Sequence, residues 1–277
     1  MKITDVEVIT FRSVRRESST RWGYAEPLWG REEPSTQTIT RITTDEGAQG
    51  HMLGGRKDSM EHGLKPLLLG EDPLDREKLW NWMYQIVSTS IQGGAVPEGQ
   101  MGVADAALWD LAGQMLNLPV HKIMGGCREK VKAYASTYPN LGQPEDYAEH
   151  AIACVKRGYR AYKIHAYIHW DPRAWASAPG MPAFPKEDVE VCKAVREAVG
   201  DDMVLMLDPY GVYTLEESLW VGRELEKLNF YWLEHPMIEQ RMEPYRRLTR
   251  ELDIAILAPE HAPGSIFSRA EWVLQGA

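Results

Sequence analysis

Short apolar runs that each end in an acidic residue, separated by helical stretches at a constant interval, constrain this chain more than any other feature. Met-Val-Leu-Met-Leu ends in Asp208, Phe-Tyr-Trp-Leu in Glu234 and Ile-Ala-Ile-Leu-Ala-Pro in Glu260, so the three acids stand 26 residues apart. Upstream, Tyr-Arg-Ala-Tyr runs into Lys163-Ile164-His165. Apolar runs followed by helical periodicity read as successive strand–helix units. In a parallel barrel, residues so placed gather on the C-terminal rim of the strands. Three carboxylates on one rim repel one another unless a cation neutralises them, and oxygen-only ligands suit Mg²⁺. The expectation is a metal site with Lys163 and His165 beside it, since those two share strand parity and face one side.

The chain before this region has another rhythm. Residues 2–14 alternate apolar and polar positions as a half-buried strand does, and 15–35 read as a loop. Residues 36–44 and 47–53 flank an Asp45-Glu46-Gly47 turn, which completes a three-stranded antiparallel meander. Helical periodicity follows over 57–69, over 73–90 with Asp72 as cap and Pro73 in the first turn, and over 102–116. Small residues such as Ala104, Ala107 and Ala112 suit close packing of the third helix. The face Trp80, Met83, Tyr84 and Val87 reads as core at a domain interface and not as a ligand box. Gly125-Gly126 marks the end of an α+β domain over residues 1–127.

Residues 128–277 then alternate. Strands are expected near 131–136, 160–165, 203–208, 230–234 and 255–259, with helices near 144–157, 186–199, 214–228, 241–251 and 265–275. Residues 166–185 interrupt the alternation, and a long loop at a strand's C-terminal end is expected over an active site. Such alternation makes either an open doubly wound sheet or a closed barrel. No Gly-x-Gly-x-x-Gly follows a strand, and functional residues on several strand ends favour the barrel. A complete (β/α)₈ barrel takes about 250 residues. Only 147 residues follow residue 130, room for about five units of roughly 30 residues. The fold class is therefore α/β: an N-terminal α+β domain, then a partial TIM-type barrel lacking its last strands.

Charge and composition narrow the partners. A formal net charge of −9 argues against nucleic acid. No run approaches the roughly 20 apolar residues of a membrane span, and the first residues have no signal-peptide core. Cys127, Cys154 and Cys192 are scattered and fit no disulfide framework or metal knuckle, which points to a reducing cytoplasm.

Residues 102–126, Gly-Val-Ala-Asp-Ala-Ala-Leu-Trp-Asp-Leu-Ala-Gly-Gln-Met-Leu-Asn-Leu-Pro-Val-His-Lys-Ile-Met-Gly-Gly, resemble the helix-to-barrel segment of the mandelate racemase and muconate-lactonising branch of the enolase superfamily. The order of the remaining elements agrees: meander, helical bundle, Lys-x-His on the second barrel strand, acids on the third, fourth and fifth. The resemblance covers essentially the whole chain. It implies that Asp208, Glu234 and Glu260 hold one Mg²⁺, that the ion holds a substrate carboxylate, and that a base removes the proton on the adjacent carbon. It also implies that the loops carrying Trp22 and His51, which cap the barrel mouth in relatives, choose the substrate. A homo-oligomer is the expected assembly.

Three departures qualify the match. Where relatives have Lys-x-Lys, with the second lysine as base, this chain has Lys163-x-His165; a neutral imidazole can take that role. Where many relatives have Asp-x-Asn, this chain has Asp208-Pro209-Tyr210. Relatives also carry acid/base groups on the sixth and seventh strands, and these 277 residues end before those positions.

The expected activity is dehydration of a sugar acid, with Lys163 and His165 catalytic and with Trp22, His51, Tyr138, Tyr210 and His261 contacting a small carboxylate substrate. Racemisation, epimerisation or cycloisomerisation on the same site is the alternative. The missing strands motivate a reading of another class, an inactive fragment serving as a binding or assembly module.

Overall fold

Alternating apolar residues build the first sheet of the computed structural model. Strand β1 (Ile3–Arg16) pairs antiparallel with β2 (Glu32–Thr44), and β2 with β3 (Gln49–Leu53). A register shift between Ile3 and Asp5 lets Ile3 and Val6, of opposite parity, both enter the core. The described residues are 1–16, 32–89, 96–165, 167–171, 176–178, 180–262, 264 and 266–277. They divide into two units, one ending at Val131 and the other beginning at Lys132. Both long strands extend into the stretch that reads as loop in the sequence. Pro34 can belong to β2 because β3 pairs only from Ile39 onward and leaves β2 without a second neighbour there.

The helices of the first unit depart from simple periodicity in explicable ways. The run expected as one helix over 57–69 is a π-helical turn, Asp58–Leu64, followed by α1 (Lys65–Leu68). Lys65 N–H donates to the Met60 carbonyl, and Pro66 brings no N–H to the junction. Helix α2 (Arg76–Thr89) begins later than expected, because Asp72 Oδ1 accepts the Leu74 N–H at 2.9 Å and makes a turn instead of a cap. Helix α3 (Glu98–Leu116) begins earlier: Pro97 holds an extended N-cap and Glu98 sits at the positive helix end. A short α4 (Val120–Ile123) follows. Helix α3 lies so close to β3 that a Cβ on Gly50 would fall 2.2 Å from the Ala107 carbonyl oxygen, which is where the small residues of this helix matter. Trp80, Tyr84 and Val87 pack against this unit's own core, which is built on Leu64, Leu79, Met83, Leu108 and Leu111.

The second unit is the strand–helix alternation. Its elements are β4 (Ala135–Ser136), α5 (Pro144–Lys156), β5 (Ala161–His165), a hairpin of β6 (Trp170–Asp171) and β7 (Ala176–Ser177), α6 (Pro185–Val199), β8 (Val204–Asp208), α7 (Leu215–Lys227), β9 (Trp232–Glu234), α8 (Met242–Glu251), β10 (Ala255–Leu257) and α9 (Ile266–Leu274). Five strands pair in the order β10-β9-β8-β5-β4, all parallel, with a helix between each successive pair. This is a partial (β/α) barrel. Tyr147, Tyr162, Val195, Leu205, Leu207 and Leu233 form the heart of its core. The strands are shorter than their apolar runs. β4 takes part only from Ala135, because β5 offers it partners only from Tyr162, and Val131 stays 84% exposed. Among the described residues no helix is long and apolar enough to cross a membrane.

Candidate metal centre

Parallel strands deliver their last residues to one rim. Lys163 and His165 stand two apart on β5, both directed to the same side, and the register sets His165 opposite Asp208 at the end of β8. Glu234 ends β9. Glu260 lies three residues beyond β10, past the cis Ala258–Pro259 bond. The carboxylates of Asp208, Glu234 and Glu260 each offer an oxygen within 4.8 Å of the other two. Asp208 and Glu234 are buried, while the Glu260 side chain is 48% exposed.

Lys163 binds two of these acids together. Its Nζ donates to Asp208 Oδ2 at 3.1 Å and to Glu234 Oε2 at 3.0 Å. Burial alone would lower the ammonium's pKa, but the charge of Asp208 and the hydrogen bonds that Nζ donates to both acids outweigh it and hold the group above lysine's ordinary value. Burial likewise pushes the Asp208 carboxyl up, and His165 together with Lys163 more than reverses that, so Asp208 lies below the usual carboxylate range. Trp232 Nε1 donates to Glu234 at 3.0 Å.

His165 is held from two sides. Its Nε2 is 3.0 Å from Asp208 Oδ2, its Nδ1 meets the Thr137 carbonyl, and its backbone N–H donates to Thr137 Oγ1 at 2.7 Å. Both ring nitrogens therefore face oxygen atoms. The Tyr210 ring lies 4.9 Å from the His165 ring, and the Tyr210 backbone N–H donates to Asp208 Oδ1 at 3.0 Å.

The donor set suits a divalent ion. Three carboxylates against one ammonium leave two negative charges to be offset. An octahedral ion about 2.1 Å from each oxygen separates adjacent oxygens by about 3 Å, inside the observed span.

Other expected contacts fall as follows. Tyr138 follows Thr137 at the rim and is 61% exposed. His261 Nε2 sits 3.5 Å from Glu260 Oε1; strand parity does not govern its direction, because β10 has ended at Leu257. His51 lies within β3 and not after it, and its backbone N–H donates to Asp110 of α3 at 2.8 Å. Trp22 lies outside the described residues.

Four residues here have no signal in periodicity or spacing. Thr137 anchors His165. His235, buried with a left-handed φ of 40°, places Nδ1 3.4 Å from Glu260 Oε2. Glu239, buried in the loop before α8, accepts the backbone N–H groups of Glu260 at 2.8 Å, of His261, and of Ala262 at 2.9 Å. Three donors converging on one carboxylate clamp the segment that carries Glu260. Glu239→Gln is expected to weaken Mg²⁺ binding by about 10–100-fold, the usual cost of losing an outer-shell partner, with the fold retained. Calorimetry with MgCl₂ measures this, and unchanged affinity would show that Glu260 needs no clamp.

The fourth residue is Asp188 on α6. It accepts the Tyr167 N–H at 2.8 Å and the Tyr213 hydroxyl at 2.6 Å, so one buried carboxyl braces the loops that follow β5 and β8. Burial raises its pKa to about 7, against the pull of those two donors. An unfolded aspartate titrates near 3.9. Between about pH 4 and 7 the unfolded chain therefore gives up this proton while the folded chain keeps it. Its contribution to stability falls as pH rises through that window and levels above it. Asp188→Asn should flatten the slope; urea midpoints of both proteins from pH 4 to 8 that ran parallel would contradict the assignment.

Comparison with known proteins followed the same division. Residues 31–125 match the family model "Mandelate racemase / muconate lactonizing enzyme, N-terminal domain", and residues 146–277 match "Enolase C-terminal domain-like". Arabinonate dehydratase of Saccharolobus solfataricus is 34% identical over 240 residues, covering 83% of this chain and 60% of that protein. N-succinyl-L-Arg/Lys racemase of Bacillus cereus is 27% identical over 240 residues, covering 80% of this chain and 58% of that protein. The chain thus spans about 60% of the length of these relatives. The crystal structure of D-glucarate dehydratase from Agrobacterium tumefaciens complexed with magnesium superposes with a TM-score of 0.84 at 38% identity, over 100% of this chain and 71% of that one.

Proposed function

The chain belongs to the mandelate racemase/muconate-lactonising branch of the enolase superfamily, and on that premise we propose that it carries the Mg²⁺ site and the base of an enzyme that dehydrates a sugar acid. One observation carries the reading: three carboxylates from successive strand ends meet within 4.8 Å, with Lys163 between two of them and His165 on the same rim. The sugar acid dehydratases among its relatives support the choice of substrate class.

Asp208, Glu234 and Glu260 would hold the ion. Bound there, Mg²⁺ supplies Lewis-acid stabilisation of the charge that grows on the substrate carboxylate. Lys163 adds a fixed ammonium to the same task, at no reorganisation cost because both its acids already hold it in place. His165 can act as a base once its Nε2 proton is released to solvent and Nε2 turns from Asp208 to the substrate C–H. His165 can return the proton taken from the alpha carbon to the beta hydroxyl, which leaves as water. The enol left behind becomes a 2-oxo-3-deoxy acid. Thr137 keeps Nδ1 occupied throughout, which fixes the ring's orientation.

The test is incubation of the full chain with Mg²⁺ and a panel of sugar acids in deuterated water, following 2-oxo acid formation. His165→Ala is expected to lower turnover by about 10²–10⁴-fold; near-wild-type rates would place the base elsewhere. Deuterium entering the alpha position without loss of water would turn the reading to racemisation. Neither exchange nor product with any acid would overturn it.

A further inference from the structure

We propose that His235, His261 and Glu260 form a second cation site, chemically distinct from the three-carboxylate centre and suited to a borderline transition-metal ion such as Zn²⁺. His235 Nδ1 stands 3.4 Å from one oxygen of Glu260, and His261 Nε2 stands 3.5 Å from the other. One ligand atom from each of the three residues lies within 4.8 Å of the other two. A tetrahedral ion with ligands at about 2.0–2.1 Å separates its donor atoms by roughly 3.4 Å, so little movement closes the set. The two imidazole rings meet edge to face at 4.9 Å between centroids.

The donor types decide which ion. Two imidazole nitrogens and one carboxylate favour Zn²⁺, Co²⁺ or Ni²⁺, whereas Mg²⁺ prefers oxygen in near-ideal octahedral array. Both ligand segments are pre-set. His235 is buried in a left-handed backbone conformation, and Gly211 backs its Nε2 so closely that a Cβ there would fall 2.8 Å away. That packing leaves Nδ1 as the nitrogen turned to Glu260. Glu260 and His261 are clamped through their backbone by Glu239. A cleft of about 460 Å³, lined by His235, His261, Glu239 and Tyr210 among others, opens beside them. The fourth coordination position can therefore be taken by water or a small ligand. Glu260 is common to both sites, and its two oxygens allow it to bridge them.

The experiment titrates ZnCl₂ calorimetrically into the full chain: wild type, His261→Ala and His235→Asn are saturated with MgCl₂, and Asp208→Asn, which is expected not to hold Mg²⁺, is titrated in metal-free buffer. One Zn²⁺ is expected to bind beside Mg²⁺, at least ten-fold weaker in either histidine variant, and to bind no more weakly in Asp208→Asn, where no neighbouring dication shares Glu260. Co²⁺ in place of Zn²⁺ should give the visible absorption of a four-coordinate, nitrogen-ligated ion, lost in His261→Ala. Because His261 is 66% exposed, that variant tests the site even if His235→Asn fails to fold. Absence of Zn²⁺ binding beside Mg²⁺, affinity that survives His261→Ala, or affinity lost in Asp208→Asn would each overturn the proposal. In those cases His235 serves only to orient Glu260, or the ion sits among the carboxylates. Loss of turnover in Asp208→Asn does not bear on it.

Discussion

Asp208→Asn is expected to abolish useful Mg²⁺ affinity and turnover while the chain stays folded. Asp208 is 4% exposed and receives donors from Lys163 Nζ, His165 Nε2 and the Tyr210 N–H, at 3.1, 3.0 and 3.0 Å. The amide keeps the volume and one acceptor oxygen, which can still serve Tyr210. It loses the charge, and its NH₂ would face Lys163 and His165, both donors. Loss of a direct ligand should exceed the roughly 10–100-fold that follows loss of an outer partner. Lys163 retains Glu234, so no buried ammonium is left alone and the fold persists. Circular dichroism checks the fold and calorimetry the metal; an unchanged Mg²⁺ isotherm would remove Asp208 from the centre.

Lys163→Met should act in the opposite sense, on stability first. Its ammonium, buried between Asp208 and Glu234, is the only lysine or arginine that the described residues bring within 4 Å of either acid. Without it, two buried carboxylates face each other with no fixed cation between them. Removing one partner from a buried ion pair costs about 3–5 kcal/mol, and a cost of that order is expected in metal-free buffer at neutral pH. Mg²⁺ should recover part of it, because a bound divalent ion supplies the missing positive charge by mass action. The variant's stability should therefore depend on Mg²⁺ more steeply than the wild type's. Equilibrium unfolding with and without MgCl₂ measures both. A cost below about 1 kcal/mol without metal, the range of an exposed pair, would mean that the acids do not rely on Nζ.

The two variants separate roles that the geometry combines. Asp208 gathers donors around one carboxylate; Lys163 bridges two carboxylates in a buried rim. With Glu239 behind Glu260 and Thr137 behind His165, each group on the rim has a partner that limits its movement. Such support is what a site needs if its ligands are to be in place before the ion arrives.

Much of this was legible along the chain. The 26-residue interval of Asp208, Glu234 and Glu260 and the parity of Lys163 with His165 are local facts of sequence. They follow from strand geometry, in which two residues make one repeat and the C-terminal end of each apolar run marks a rim. Boundaries were less legible. Pro97 starting α3 early and Asp72 making a turn instead of a cap depend on which backbone groups a side chain finds, and several partners are available at each place. β9 and β10 pair over three residues each, although their apolar runs are longer in sequence.

What the sequence alone determined was the order of elements, the partial barrel and the candidates that strand ends would bring to one rim. Local patterns suffice there because periodicity and chain order act between near neighbours. Only the tertiary structure decided what stands behind those candidates. Glu239 reaches backbone N–H groups 21 to 23 residues away, Asp188 joins two loops from a helix between them, and His235 turns to Glu260 through a left-handed backbone. These are contacts of a carboxylate or an imidazole with whatever the fold carries past it, and residue type and spacing do not encode them.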